Sequence, residues 1–330
     1  LQGLKKFALQ PRVLEDGGGF LSPVDLTAVV TVTDDGGSSG RLRKEFDVLP
    51  PGDIRNCMVA LSEDEALLSR LFQYRFAAGR GLKGHSFGNL FLTALTSVTG
   101  DFARAVKLSS EVLSIAGRIF PSTAANVSLE ATLADGRVVT GETLISRSRA
   151  RIRQVRLKPR RIKPLPETLD AIAEADLITF GPGSLYTSVI PNLLVDGVPE
   201  AIRASRALKA YFVNLMWQPG ETMGYTASEH VEAIYRHAGA NLLDYVVVNT
   251  RPIPKRLLGR YARSQVHPVV NDLNRLAAMG LGILARDLLE QTDKIRHNPE
   301  ASAAVAVSLA EQGRQRRLTE MIKRRRKREF

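Results

Sequence analysis

The stretch Leu26-Thr27-Ala28-Val29-Val30-Thr31-Val32-Thr33, followed at once by Asp34-Asp35-Gly36-Gly37-Ser38-Ser39-Gly40-Arg41, decides how the rest of the chain is read. Eight residues rich in β-branched side chains, with no polar alternation, suit a strand covered on both faces, the habit of a parallel sheet. The run then stops at two carboxylates and a Gly/Ser-rich turn. Residues 175–180 stop in the same way at Gly181-Pro182-Gly183, and 211–214 and 245–249 are two further apolar runs that finish on a polar residue. Helical periodicity lies around and between them, over 62–76, 88–99, 167–175, 198–208 and 227–238. This alternation predicts an α/β protein with a doubly wound, Rossmann-like, mainly parallel sheet. In such sheets ligands bind beyond the carboxyl ends of the strands, so those loops are where chemistry is expected.

Two regions depart from the pattern and predict a small antiparallel add-on over about 120–163. Residues 127–140 read as a hairpin, with Leu129, Ala131 and Leu133 alternating before an Asp135-Gly136 turn. Residues 146–156 place Arg147, Arg149, Arg151 and Arg153 at period two, which predicts a strand with one basic face. Residues 8–23, with Gly17-Gly18-Gly19, read as a surface loop.

The chain has 330 residues, 44% of them hydrophobic and 24% charged, values that exclude disorder, collagen and coiled coil. Its single cysteine, Cys57, rules out an internal disulfide and a Cys-rich zinc site. No run of about 18 uncharged apolar residues predicts a membrane span, and residues 1–7 lack the pattern of a signal peptide, so a cytoplasmic protein is expected. The net charge of +12 is local. Residues 147–163 hold nine Arg or Lys and no acid (+9), and 314–330 hold nine against Glu320 and Glu329 (+7), which leaves 12 − 16, about −4, for the remainder. Neither basic cluster has interleaved aromatics for base stacking, so nucleic acid is not the expected partner. A globular part over 1–313 with a basic tail over 314–330 is the expected organisation.

Several loops have the residue types that hold a phosphorylated ligand. After the first strand, glycines let backbone N–H groups approach a phosphate, Ser38 and Ser39 add donors, and Arg41 adds charge. Asp34 and Asp35 together could hold a magnesium ion shared with a diphosphate. In Pro50-Pro51-Gly52-Asp53-Ile54-Arg55-Asn56, Asp53 reads as a helix N-cap, with Arg55 and Asn56 in the first turn. Gly84-His85-Ser86-Phe87-Gly88-Asn89 precedes an apolar helix that either Ser86 caps or a ligand meets. Gly181-Pro182-Gly183-Ser184 is a second glycine-rich strand-to-helix turn. Asn214 to Gly224 leads into a helix that Ser228 could cap. His230, His237, His267 and His297 have no metal-ligand spacing, and neither HExxH nor GxSxG occurs, which argues against zinc hydrolases and α/β-hydrolases.

Taken together, 33–43, 50–56, 84–90, 181–188, Gln218-Pro219-Gly220-Glu221-Thr222 and Arg296-His297-Asn298 resemble the bacterial YvcK-type gluconeogenesis factor family of the CofD-like superfamily, from Leu1 to about Pro299. Family members open with a strand and a Gly-Gly-Gly-Thr-Gly loop ahead of the segment matching Leu1–Phe7. Residues 8–23 look inserted, and Met223 stands where the family usually has Asp. The resemblance implies a UDP-sugar-binding protein linked to cell shape and to growth on gluconeogenic carbon. In the related enzyme branch, a phospholactyl group passes from a guanosine diphosphate carrier to a deazaflavin alcohol. A magnesium-dependent transferase with Asp34 and Asp35 on the metal is therefore the alternative. The expected nucleotide-sugar site comprises Asp34, Asp35, Gly36, Gly37, Ser38, Ser39, Arg41, Arg55, Asn56, His85, Asn89, Gly181, Pro182, Gly183 and Ser184. Asn214, Thr222 and Tyr225 are expected to line the cleft, and the resemblance adds Tyr261 and Arg296. A homo-oligomer is compatible with this reading.

Overall fold

The β-branched run does form a buried strand, shorter than its composition suggests. A computed structural model of the chain describes residues 1–9, 12–13, 20–21, 24–62, 67–290 and 292–326. The Gly17-Gly18-Gly19 turn, residues 63–66 of the expected helix 62–76, and 327–330 of the expected tail lie outside those residues. The chain divides into two compact units, one of Leu1–Ser148 with Arg153–Thr168, the other of Arg149–Ile152 with Leu169–Phe330.

The first unit begins with α1 (Lys5–Leu9), tied by Lys5 Nζ donating to the Ser62 carbonyl at 3.0 Å. Within the stretch read as a loop, β1 (Arg12–Val13) and β2 (Phe20–Leu21) pair antiparallel. Then come β3 (Thr27–Val30), α2 (Gly37–Phe46), α3 (Gly52–Leu61), α4 (Leu67–Gln73), α5 (Phe87–Thr99) and α6 (Phe102–Val112). The chain returns in β4 (Arg118–Pro121), the parallel neighbour of β3. The ladder ends where the Val30 carbonyl accepts from Ser122 N at 2.8 Å, just past Pro121. Thr31, Val32 and Thr33 beyond it stay buried. The antiparallel add-on is β5 (Ser128–Leu133), β6 (Val138–Thr140), α7 (Glu142–Arg147) and β7 (Ile152–Lys158), with strand order β6-β5-β7. Its basic face is smaller than the period-two arginines predict. Arg147 ends α7, Arg149 has a left-handed φ of 51°, and Arg156 pairs with Glu130 of β5.

The second unit alternates strand and helix throughout. It runs α8 (Pro166–Glu174), β8 (Leu177–Phe180), a π-helical turn (Leu185–Val189), α9 (Ile190–Leu193), α10 (Val198–Ala204), β9 (Leu208–Phe212), α11 (Ala227–Ala238) and β10 (Tyr245–Asn249). It continues with α12 (Lys255–Ala262), α13 (Leu273–Ala278), β11 (Gly282–Arg286) and α14 (Pro299–Arg326). The four strands form one parallel sheet in the order β11-β10-β9-β8, with Ala210, Tyr211, Val246 and Val247 fully buried. The helix expected over 198–208 ends at Ala204. The Ser205 hydroxyl turns back to the Ile172 carbonyl and accepts from Ala207 N, which releases Leu208 into the strand. The α/β class, the parallel pairing and the antiparallel add-on are as the sequence predicts. The parallel strands fall into two sheets, four in the second unit and two in the first.

Candidate functional site

In the first unit three helix N-termini are tied to one another. The Ser38 hydroxyl of α2 lies 3.0 Å from His85 Nδ1, just before α5, and Asn89 Nδ2 of α5 donates to Ser39 Oγ at 3.2 Å. Gly52, the first residue of α3, lies so close to the carboxylate of Asp34 and the hydroxyl of Ser39 that any Cβ there would collide with both. The segment read as a glycine-rich loop is thus a helix start. Gly36 is the N-cap of α2, and Gly37, Ser38 and Ser39 form its first turn, where N–H groups have no carbonyl behind them.

Cations and carboxylates surround this junction. Arg41 Nη2 donates to the Lys83 carbonyl (2.9 Å) and Arg75 Nη1 to the Gly84 carbonyl (2.6 Å). Arg55 is half-buried, donates to Asn56 Oδ1 at 2.5 Å, and leaves its Nε unpartnered. Burial, then Arg75, lowers the Arg55 pKa, while Asp34 and Asp53 oppose that. Burial, reinforced by Asp34, pushes Asp53 up to about 6. Asn89 is buried and its Oδ1 has no partner, a polar atom aimed at nothing in the chain.

These contacts correct the expected cap of α3 and bear out that of α5. Asp53 does not cap α3, because the N-cap is Pro51 and Asp53 sits in the first turn. Asp35 is engaged by the chain itself. Its Oδ1 accepts from the backbone N (2.9 Å) and hydroxyl (2.8 Å) of Thr143, fixing the start of α7. Asp34 Oδ1 accepts from Gly36 N (2.8 Å), and its carboxylate adds to the rise of Asp53. Ser86 caps α5, accepting from Asn89 N at 3.2 Å.

In the second unit the turn Gly181-Pro182-Gly183-Ser184 leads into a helix start that the chain itself occupies. Gln218 Oε1 accepts from Leu185 N (3.4 Å), and Glu221 Oε2 accepts from Tyr186 N (3.2 Å). Thr187 Oγ1 donates to Glu221 Oε1 at 3.3 Å. Glu221 therefore fills the anion position that the sequence reading left for a phosphate, and burial pushes its carboxyl up to about 7. Thr222 and Tyr225 are buried. The Thr222 hydroxyl accepts from Gln218 N (3.0 Å), and the Tyr225 hydroxyl meets that of Tyr186 at 2.8 Å beneath the Arg151 guanidinium. Tyr261 Oη accepts from Ile295 N (3.3 Å), and Arg296 is exposed beside it in sequence. Ser228 does not cap α11. Thr226 does, in a capping box with Glu229.

At the carboxyl ends of β9 and β10 the same unit has a pocket of about 210 Å³. Asn214, Asn249, Arg251 and Asn271 supply its polar groups, over Leu215, Ile253 and Val269. The Asn214 amide donates to Gln218 Oε1 at 3.1 Å, which sets its orientation. Sequence reasoning found Asn214 but missed Asn249 and Asn271. Asn249 was visible as the polar end of a strand; Asn271 carried no local signal. The histidines are structural: His230 Nδ1 bonds to the Thr226 carbonyl and stacks on Tyr211, and His297 Nε2 bonds to the Val213 carbonyl.

Comparison with known proteins follows this geometry. A family profile described as 2-phospho-L-lactate transferase CofD matches residues 1–289. The chain belongs to the CofD family. Within it, the chain is 51% identical over 277 residues to a protein named gluconeogenesis factor from Halalkalibacterium halodurans, covering 84% of this chain and 86% of that one. It is 49% identical over 288 residues to the gluconeogenesis factor of Bacillus subtilis, covering 87% and 91%. A crystal structure of a UPF0052-family protein from Bacillus halodurans superposes with a TM-score of 0.86 at 47% identity, over 93% of this chain and 94% of that one. This CofD-family chain shares its fold and most of its length with proteins named gluconeogenesis factors.

Proposed function

We propose that this protein is a gluconeogenesis factor that binds a UDP-sugar, or a closely related nucleotide-diphosphate sugar, in the cytoplasm without turning it over, and that ligand occupancy is what it reports to cell-shape control and to growth on gluconeogenic carbon. The observation that carries the ligand class is the junction of α2, α3 and α5. The first turn of α2, the neighbouring Arg41, Arg55 and Arg75, and the orphaned Asn89 amide oxygen together supply the groups that recognise a phosphorylated polar ligand. Binding without turnover is favoured because Asp35 is engaged by Thr143, and Glu221 already answers the N–H groups after Gly183.

One observation supports the transferase reading. Asp34 and Asp53, with the free Asn89 Oδ1, offer the hard oxygen donors that magnesium takes, although no group of three or more His, Cys, Asp or Glu suited to a metal stands among the described residues. Magnesium there would offset the two carboxylates against a diphosphate. Thermal unfolding with UDP-sugars, GDP and dinucleotides tests the proposal. A ligand present at about 100 times its Kd should add roughly 2.7 kcal/mol of stability. No stabilisation by any nucleoside diphosphate would refute it.

A further inference from the structure

Helix α14 runs unbroken through the residues read as a tail, as far as Arg326. Its first half is a packing helix, burying Ala303, Ala306, Val307 and Leu309. Gly313 then lies so close to the Asp176 carbonyl that only a glycine fits. One turn later Arg317 anchors the helix again, donating to the Glu174 carbonyl (2.7 Å) and pairing with Asp176 (2.9 Å). Beyond Arg317 the sequence remains helical and keeps three large apolar residues at i, i+3 and i+4. Leu318, Met321 and Ile322 are 49%, 54% and 56% exposed. That spacing puts them on one stripe of the helix.

Charge says what covers the stripe. Residues 314–326 carry seven Arg or Lys against the single Glu320, a net +6. Two such segments would repel each other, which argues against a second copy of this chain. Nucleic acid would use the charge but leave the apolar stripe in water, and the segment has no aromatic to stack on a base. A surface of anionic phospholipid answers both features, with headgroups for the cations and the acyl boundary for Leu318, Met321 and Ile322. No helix among the described residues is long and apolar enough to cross a membrane, so the contact is peripheral. We propose that the end of α14 is an interfacial anchor that docks this protein on anionic membrane.

Co-sedimentation of the full chain with phosphatidylcholine vesicles, with and without phosphatidylglycerol, tests this. Binding should be at least about tenfold stronger with phosphatidylglycerol, and should weaken between about 0.1 M and about 0.5 M salt. Replacing Leu318→Gln, Met321→Gln and Ile322→Gln together keeps helix propensity and every charge. It should lower partitioning by at least about tenfold while leaving the melting temperature unchanged. Undiminished vesicle binding by that variant would overturn the proposal, because charge alone would then suffice. Absence of vesicle binding with capture of a DNA or RNA duplex would overturn it in favour of nucleic acid. A dimer that the variant abolishes, with no lipid binding, would overturn it in favour of self-association.

Discussion

Arg55 is the residue on which the ligand reading turns. Its side chain is half-buried with the Cγ methylene beside Gly88, its pKa is lowered by burial, and it uses one nitrogen on Asn56 while Nε stays unpartnered. A desolvated cation with a spare donor gains when an anion arrives. Arg55→Ala should therefore weaken UDP-sugar binding by about 1.5–3 kcal/mol with the fold intact, measured by calorimetry. Its neighbour Asp53 sets a pH dependence. A carboxyl raised from 3.8 to about 6 in the folded state is a liability when ionised. Its favourable contribution is present below the unfolded value and lost as pH rises through about 6. Asp53→Asn should thus gain stability over the wild type at about pH 7.5 and little at about pH 4, read from melting temperatures across pH. The same variant should tighten diphosphate binding at neutral pH if no metal is involved. Asp34 and Arg41 stood out because Asp, Gly, Ser and Arg at a strand end have few structural uses together. The role of Asp35 was not legible, because its partner Thr143 is 108 residues away.

Helix starts show the same division at the scale of elements. The body of α11 was readable to the residue from its apolar spacing, with Val231 and Ile234 inward. Its cap was misplaced by two residues. Thr226 and Ser228 are both good capping types, and the choice is made by Asp272, which takes the Ser228 hydroxyl and backbone N–H. Thr226→Ala should cost about 1 kcal/mol, measured by denaturant unfolding, since it opens a capping box whose other half is Glu229. The glycine-rich turn 181–184 looked like a phosphate cradle for an equally local reason. Glu221, some 35 residues on, answers the N–H of Tyr186, and no spacing rule announces that pairing. Strands β4 and β11 escaped notice because a Pro in one and a Gly in the other weaken the pattern that their ladders then complete.

At the scale of the molecule, the alternation of β-branched runs with helical periods was enough to give an α/β protein, because burying both sheet faces leaves few other solutions. What it could not give was the division of the parallel strands into two sheets, which depends on pairing rather than on pattern. The charge distribution was legible as two basic clusters, but their fates differ. In the 147–163 cluster Arg151 and Arg156 are neutralised by Glu229 and Glu130, whereas the second cluster lies in the last turns of α14. Truncation after Arg317 should leave both the melting temperature and UDP-sugar affinity unchanged, because the Arg317 contacts to Glu174 and Asp176 are kept. The central claim is that backbone N–H groups and arginines, rather than a bridging ion, hold the diphosphate. Titration calorimetry of the full chain with UDP-glucose, in magnesium and then in excess EDTA, tests it most directly. The account predicts affinities within about threefold of each other, whereas a loss of about a hundredfold or more on chelation would contradict it and place a metal between Asp34, Asp53 and the ligand.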